Sequence, residues 1–286
     1  MRFAVVGGDR RAALLCALLL QDGHLVHSFA LEQAPLPAEI PKDDCLQACV
    51  YAADCVILPT PAHTGGFLNA PLSEESLSVE TLVGALWPGQ LLCGGALGED
   101  CCRAARREKL HVADLMRRPD FVAGNAALTA EGAISLLMEE SDRALRHSRC
   151  LVLGFGRIGK PLALSLAALG AQTAVAARSG EDRALAEILG LSPLHFGQIE
   201  GLIGDFDFIV NTVPAAVLSE AALCCASPEA VLLELASPPG GFDRRLAENI
   251  GLRALAAPGL PGRYAPYSAA LLIRAAVYGA IRELEE

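Results

Sequence analysis

The chain is nearly without lysine: Lys42, Lys109 and Lys160 stand beside twenty arginines. Schemes that need a catalytic lysine therefore have few candidates. A basic excess is missing too, since 33 acidic residues outnumber 23 basic ones, for a net charge of −10. A nucleic-acid protein needs a basic face, so that class is set aside. A small anionic substrate stays open, because it needs only a local arginine pocket. The ten cysteines include no Cys-x-x-Cys pair, and no histidine lies at zinc-ligand spacing from Cys45 and Cys49. No metal is expected. Cys55, Cys93 and Cys150 fall inside apolar runs and read as small buried hydrophobes of a reducing compartment. The mean hydropathy is high at +0.38, yet no membrane span is expected. The uncharged runs 82–98 and 161–177 are broken by Pro88-Gly89-Gln90 and by Gly170. Both fall short of the roughly 18–20 apolar residues a spanning helix needs. The first residues read as a strand and a glycine turn rather than a secretory leader, so a cytoplasmic location is expected.

What is present is an alternation of strand and helix. The 286 residues, 52% hydrophobic, suffice for one large or two moderate domains. Strands are predicted at 3–6, 25–29, 54–58 and 90–93, with helices at 10–20, 78–86 and 98–109. A long amphipathic helix is predicted over 128–146. The pattern then restarts with a strand at 150–153, a helix at 157–169 and a strand at 172–177. Later strands are predicted at 207–210 and 231–235, and a last helix at 266–284. This is an α/β chain of two doubly wound units joined by a helix.

Gly154-Phe155-Gly156-Arg157-Ile158-Gly159 follows the strand at 150–153 and opens a helix. The spacing is that of a dinucleotide fingerprint. Gly154 serves the tight turn, Gly156 lets the backbone approach a pyrophosphate, and Gly159 lets helix and strand pack closely. The free N–H groups of the helix start favour phosphate. The next strand ends at Arg178-Ser179, where an NAD site would carry an acid about 20 residues on. A guanidinium there suits a 2′-phosphate, so NADP is expected over NAD, although Glu181 lies near. Asn211-Thr212-Val213-Pro214 follows the strand at 207–210 and is expected beside the ribose and nicotinamide. In the first half, Gly7-Gly8-Asp9-Arg10-Arg11 joins a strand to a helix. Thr60, His63, Thr64 and Gly65 follow another strand. Asp9, Arg10, Thr60, Thr64 and Gly65 are candidates to hold carboxylates, with His63 a candidate for proton transfer. Arg11 reads as an ordinary surface residue.

Six segments together resemble the A-subunit family of dipicolinate synthase from endospore-forming bacteria. They are Val6-Gly7-Gly8-Asp9, Thr129-Ala130-Glu131-Gly132, the glycine fingerprint, Asn211 to Pro214, Leu235-Ala236-Ser237-x-Pro239-Gly240-Gly241, and Ala257-Pro258-Gly259-Leu260-Pro261-Gly262 with Ala265-Pro266. The resemblance runs nearly end to end. It implies a flavodoxin-like substrate domain over 1–125, joined by 266–286 as the last helix returns to it. It also implies a Rossmann NADP domain over 126–265, in the arrangement of D-2-hydroxyacid dehydrogenases. It implies conversion of a hydroxylated tetrahydrodipicolinate to dipicolinate by loss of water and two-electron oxidation. The flavoprotein-like B-subunit of dipicolinate synthase is the implied partner, in the mother cell during sporulation, and a homo-oligomer is expected. The chain departs from the family pattern at three places: Leu128 replaces Pro, Pro238 replaces Arg, and Tyr267-Ser268-Ala269-Ala270 replaces Lys-Thr-Ala-Gly.

In that scheme the substrate lies in the crevice at the carboxyl ends of the two sheets. Glu131, at the start of the connecting helix, is either a base or a first-turn carboxylate favouring the helix dipole. Tyr264 and Arg263, in a glycine–proline loop, are expected to contact substrate, and Tyr264 is a catalytic candidate beside Glu131 and His63. Three alternatives stay open. A stand-alone D-2-hydroxyacid dehydrogenase wants a late histidine base, but no histidine follows His195. A shikimate-dehydrogenase-type enzyme wants a lysine–aspartate pair, for which only Lys42 and Lys109 are on offer. The third is a nucleotide-binding scaffold subunit without activity of its own.

Overall fold

The computed structural model describes residues 1–74 and 76–286. It separates into Met1–Asn125 with Ala265–Glu286, and Ala126–Tyr264. The first unit contains β1 (Arg2–Val6), α1 (Arg10–Gln21), β2 (Leu25–Phe29), α2 (Leu46–Val50), β3 (Cys55–Ile57), β4 (His63–Thr64), β5 (Phe67–Leu68), α3 (Val79–Gly84), β6 (Leu91–Gly94), α4 (Gly98–Arg107) and β7 (His111–Asp114). Its main sheet has the order β2-β1-β3-β6-β7, with every pair parallel. That is a flavodoxin-like order. Strands β4 and β5 form a small antiparallel ribbon.

Helix α5 (Pro119–Glu139) leads into the second unit. There follow β8 (Arg149–Leu153), α6 (Gly159–Ala168), β9 (Gln172–Ala176), α7 (Gly180–Ile188), β10 (Ser192–Leu194), β11 (Phe208–Asn211), α8 (Glu220–Cys225), β12 (Val231–Glu234), α9 (Arg244–Asn249), β13 (Arg253–Ala256) and α10 (Leu260–Tyr264). The sheet order β10-β9-β8-β11-β12-β13 is parallel throughout. This is the Rossmann order, and the strand order reverses between β8 and β11. The final helix α11 (Pro266–Glu285) belongs to the first unit.

Both sheets are covered on both faces. Along β1, Phe3 and Val5 pack into one core and Ala4 and Val6 into the other. Along β8, Cys150 and Val152 face one core and Leu151 and Leu153 the opposite one. Two-sided burial is why these strands read as unbroken apolar runs. Helix α11 closes the first core with Ala270, Ile273, Ala276, Val277 and Ala280 packed near Phe3, Leu15 and Leu19. Arg274 and Tyr278 bind the Asp22 carboxylate at 3.1 and 2.6 Å.

Several expectations need correction. The helix expected at 128–146 runs instead over Pro119–Glu139. The helix runs unbroken through Gly124, where Leu272 of α11 packs; a Cβ there would come within 2.7 Å of it. Glu131 therefore lies in mid-helix, which removes its first-turn reading. Helix α5 is 21 residues with a hydropathy of 1.4, so by length and composition it could cross a membrane. More than half of its most apolar window is buried, however, with Ala130, Ala133, Leu136 and Leu137 in the core of the second unit. Edge strands β7, β10 and β13 are short and gave no apolar run to read.

Seven of the ten cysteines are buried, and Cys45, Cys224 and Cys225 are exposed. Burial pushes the Cys16 and Cys150 thiols up to about 12. A thiol titration of the native protein is expected to give three fast groups, the exposed ones, with the other seven reacting only on unfolding. A native count well above three would contradict this packing.

Candidate functional site

At the centre of the second sheet the chain leaves β8 and turns into α6 through the glycine fingerprint. Gly154 has φ +96, and its N–H donates to the Ala176 carbonyl at 2.8 Å. A Cβ on Gly159 would lie 2.1 Å from the Gly154 carbonyl oxygen. The chain itself thus requires glycine at 154 and 159. Gly156 is different, because a Cβ there would meet nothing within 4 Å. No packing contact of the chain explains glycine at 156, but close approach of a ligand to the mouth of α6 would. Arg157 is exposed and Ile158 half-buried on the same turn.

Beyond β9, Arg178 is exposed and Ser179 caps α7, accepting from the Asp182 N–H at 3.3 Å. Arg183 donates to the carbonyls of Ala177 and Arg178 at 2.9 and 2.8 Å, which fixes the backbone under Arg178. Lys160, on the first turn of α6, lies 3.7 Å from Asp182 and 5.4 Å above the Phe155 ring. This leaves Arg178 facing outward with no partner among the described residues.

Thr212 donates to the Leu153 carbonyl at 2.8 Å and packs under both Gly154 and Gly159. It ties the β11 loop to the glycine turn. Pro214 is exposed. Asn211 is fully buried and its side chain is used inside the protein. It donates to the Val213 carbonyl at 2.9 Å and to Glu234 at 2.7 Å, and accepts from the Val213 N–H at 3.1 Å. Asn211 therefore shapes the loop expected beside the ribose and nicotinamide, with both of its amide N–H groups spent inside the protein. Glu234 escaped sequence reading, although an acid closing the apolar run Val231-Leu232-Leu233 was a signal.

In the first unit, Arg11 corrects its surface reading. It is buried and grips Asp9 through Nε at 2.9 Å and a terminal nitrogen at 2.8 Å, while donating to the Thr60 carbonyl at 2.6 Å. Asp9 also caps α1, accepting from the Arg11 N–H. Burial works to raise the Asp9 carboxyl, but the Arg11 guanidinium and N–H outweigh it and hold it below its ordinary value. Its oxygens are thus taken up internally, and a like-charged carboxylate substrate would not gain from it. Arg10 is exposed, as are Thr64 and Gly65 at the tip of the β4–β5 ribbon. Thr60 is buried against Gly95, with its hydroxyl lacking a partner among the described residues. His63 Nε2 lies 2.9 Å from the Leu97 carbonyl, so that nitrogen carries the proton. Its Nδ1 is buried and lacks a partner among the described residues.

Tyr264 and Arg263 lie on α10, not in an open loop. The Tyr264 hydroxyl donates to Glu139 at 2.6 Å, and Arg263 sits 3.6 Å from the same carboxylate and 4.9 Å over the Tyr264 ring. Burial and the Glu139 bond both push the Tyr264 hydroxyl up. Gly132 makes this packing possible, since a Cβ there would come within 2.9 Å of Leu260 and 3.3 Å of the Tyr264 ring. Glu131 is exposed on α5 with no partner among the described residues. No cluster of three or more metal-ligating side chains occurs among the described residues.

Two outcomes follow from these geometries. Gly159→Ala is expected to cost about 2 kcal/mol or more through the clash with Gly154, whereas Gly156→Ala should change stability by less than about 0.5 kcal/mol. Chemical denaturation measures both, and equal losses would refute the division of labour. For Asp9, whose folded pKa lies below 3.8, the stabilising contribution is present above the unfolded value and lost as pH falls through the folded one. The stability difference between wild type and Asp9→Asn should thus be flat above about pH 5 and shrink below about pH 4.

Comparison with known proteins agrees with this architecture. A family model described as the N-terminal domain of the dipicolinate synthase A-subunit matches residues 2–116. The dipicolinate synthase A-subunit of Bacillus subtilis (strain 168) is 32% identical over 278 residues, covering 96% of this chain and 93% of that one. The crystal structure of the dipicolinate synthase A-subunit from Bacillus halodurans superposes with a TM-score of 0.85 at 27% identity, covering 98% of this chain and 97% of that one. A transhydrogenase from Sinorhizobium meliloti shares the fold alone, with a TM-score of 0.70 at 16% identity over 98% of this chain and 94% of that one. Several dehydrogenases have the same scaffold. Sequence identity sustained along nearly the whole length, on a matching fold, places the chain in the A-subunit family of dipicolinate synthase.

Proposed function

We propose that this chain is an NADP-dependent oxidoreductase that converts 4-hydroxy-tetrahydrodipicolinate to dipicolinate together with the dipicolinate synthase B-subunit, in the mother cell of a sporulating bacterium. In this reading the second unit holds the cofactor and the first recognises the dicarboxylate. The observation that carries it is Gly156, the fingerprint glycine that no contact within the chain requires. The residues fit the cofactor: the turn that Gly154 and Gly159 shape would hold the pyrophosphate at the mouth of α6, with open Gly156 letting it approach and Arg157 and Ile158 on the same turn. Arg178 and Ser179 would take the 2′-phosphate, and Thr212 and Pro214 would border the nicotinamide side.

Bound NADP supplies the hydride acceptor. The substrate loses its hydroxyl and a neighbouring proton as water, then a hydride and a second proton, leaving an aromatic ring. Glu131, exposed and without a partner among the described residues, is the base we assign; the Tyr264 hydroxyl is already engaged by Glu139, and the unprotonated nitrogen of His63, Nδ1, is buried. Arg10 is the cation we assign to a substrate carboxylate, with Thr60, Thr64 and Gly65 at the same edge. Arg263, expected to contact substrate, is paired with Glu139. A second reading, a nucleotide-binding scaffold without activity of its own, is favoured by Pro238 and Tyr267, where the family resemblance leads one to look for Arg and Lys.

Calorimetric titration decides the cofactor. NADPH should bind more tightly than NADH, and Arg178→Ala should weaken NADPH about tenfold or more while sparing NADH, as expected for loss of a charge-assisted phosphate contact. Failure to bind either nucleotide would sink the oxidoreductase reading. Turnover of hydroxytetrahydrodipicolinate with and without the B-subunit then separates enzyme from scaffold.

A further inference from the structure

Glu234 is the last residue of β12 and the register partner of Asn211 on β11. Its Oε1 accepts from the Asn211 side-chain amide at 2.7 Å and from the Ala236 N–H at 2.8 Å, and its Oε2 accepts from the Gly241 N–H at 2.7 Å. The Gly241 carbonyl in turn accepts from the N–H groups of Val217 and Leu218 at 2.7 and 3.0 Å. The loop after β11 and the loop after β12 are thereby fastened at both ends. There is no slack: a Cβ on Gly241 would fall 2.3 Å from the Asn211 amide carbon, and one on Gly240 would fall 2.9 Å from Glu234 Oε2. In a sheet of this order a dinucleotide straddles the reversal between β8 and β11, with its nicotinamide half over β11 and β12.

We propose that Glu234 is a positioning residue for the nicotinamide half of the cofactor, acting through Asn211 and Gly241 without touching the cofactor. The role rests on the dinucleotide reading above. It needs a carboxylate, because all three neighbours donate. A glutamine at 234 would turn an N–H₂ group against Gly241 on one side, or against Asn211 and Ala236 on the other. Asn211 cannot flip to compensate without losing both of its bonds to Val213.

The test compares NADPH with 2′,5′-ADP, which carries the adenosine and 2′-phosphate but no nicotinamide. For Glu234→Gln, calorimetry should show NADPH weakened about tenfold, the loss expected for one buried donor left unpaired, and 2′,5′-ADP unchanged within about twofold. Equal weakening of both ligands, or of neither, would overturn the role. Hydrogen exchange on the wild type provides a second measurement that does not depend on the variant folding. NADPH should slow exchange in segments 211–218 and 235–241, and 2′,5′-ADP should not; slowing by both or by neither would likewise overturn it. Wild-type protein that binds no nucleotide sinks the cofactor reading itself, an outcome distinct from a wild type that binds and a variant that behaves identically.

Discussion

Burial of both faces of both parallel sheets is the constraint on which the rest depends. Strand residues such as Phe3, Val5, Cys150 and Val152 have no solvent side on which to place a polar group. Polar chemistry is driven to the strand ends, where the backbone must also turn into the next helix. The carboxyl edges therefore do two jobs in one place. They satisfy the backbone of the turns, and they offer what remains to a ligand.

That competition explains how the site residues divide. Asp9, Ser179 and Asn211 are polar residues at strand or helix ends, and each is drawn into holding its own turn: Asp9 with Arg11, Ser179 with the Asp182 N–H, Asn211 with Val213 and Glu234. Arg10, Arg178 and Gly156 carry no such internal duty and are left facing outward. The two groups are often neighbours in sequence, as Arg10 and Arg11 show. Alternation around a helix start sends one inward and one out.

How legible this was depended on the distance over which each decision is made. The doubly wound α/β pattern and the glycine fingerprint are local, so strand runs and spacing revealed them. Which glycine answers to the chain and which to a ligand was not local, since it turns on where the Gly154 carbonyl and Thr212 come to rest. The true start of helix α5 was hidden because its first half packs against distant chain, with Gly124 lying against Leu272. Glu234 and the buried Arg11 were missed for the same cause: their partners Asn211 and Thr60 are brought beside them only by sheet order. Tyr264 and Arg263 looked like open-loop residues because Gly259 and Pro261 suggest a loop, but Gly132 lets α10 pack down on α5 and delivers both to Glu139.

The scarcity of lysine gives the glycine turn an unusual chemical address. The Lys42 ammonium is occupied by the carbonyls of Glu32 and Ala34 at 2.6 and 2.8 Å. An acylating reagent thus finds only three side-chain amines, and of these Lys160 lies on the first turn of α6. Acylation of Lys160 would discharge its ion pair with Asp182 beside the opening of α6. In a lysine-rich homologous scaffold such a mark would be one among many; here general amine chemistry becomes nearly site-directed.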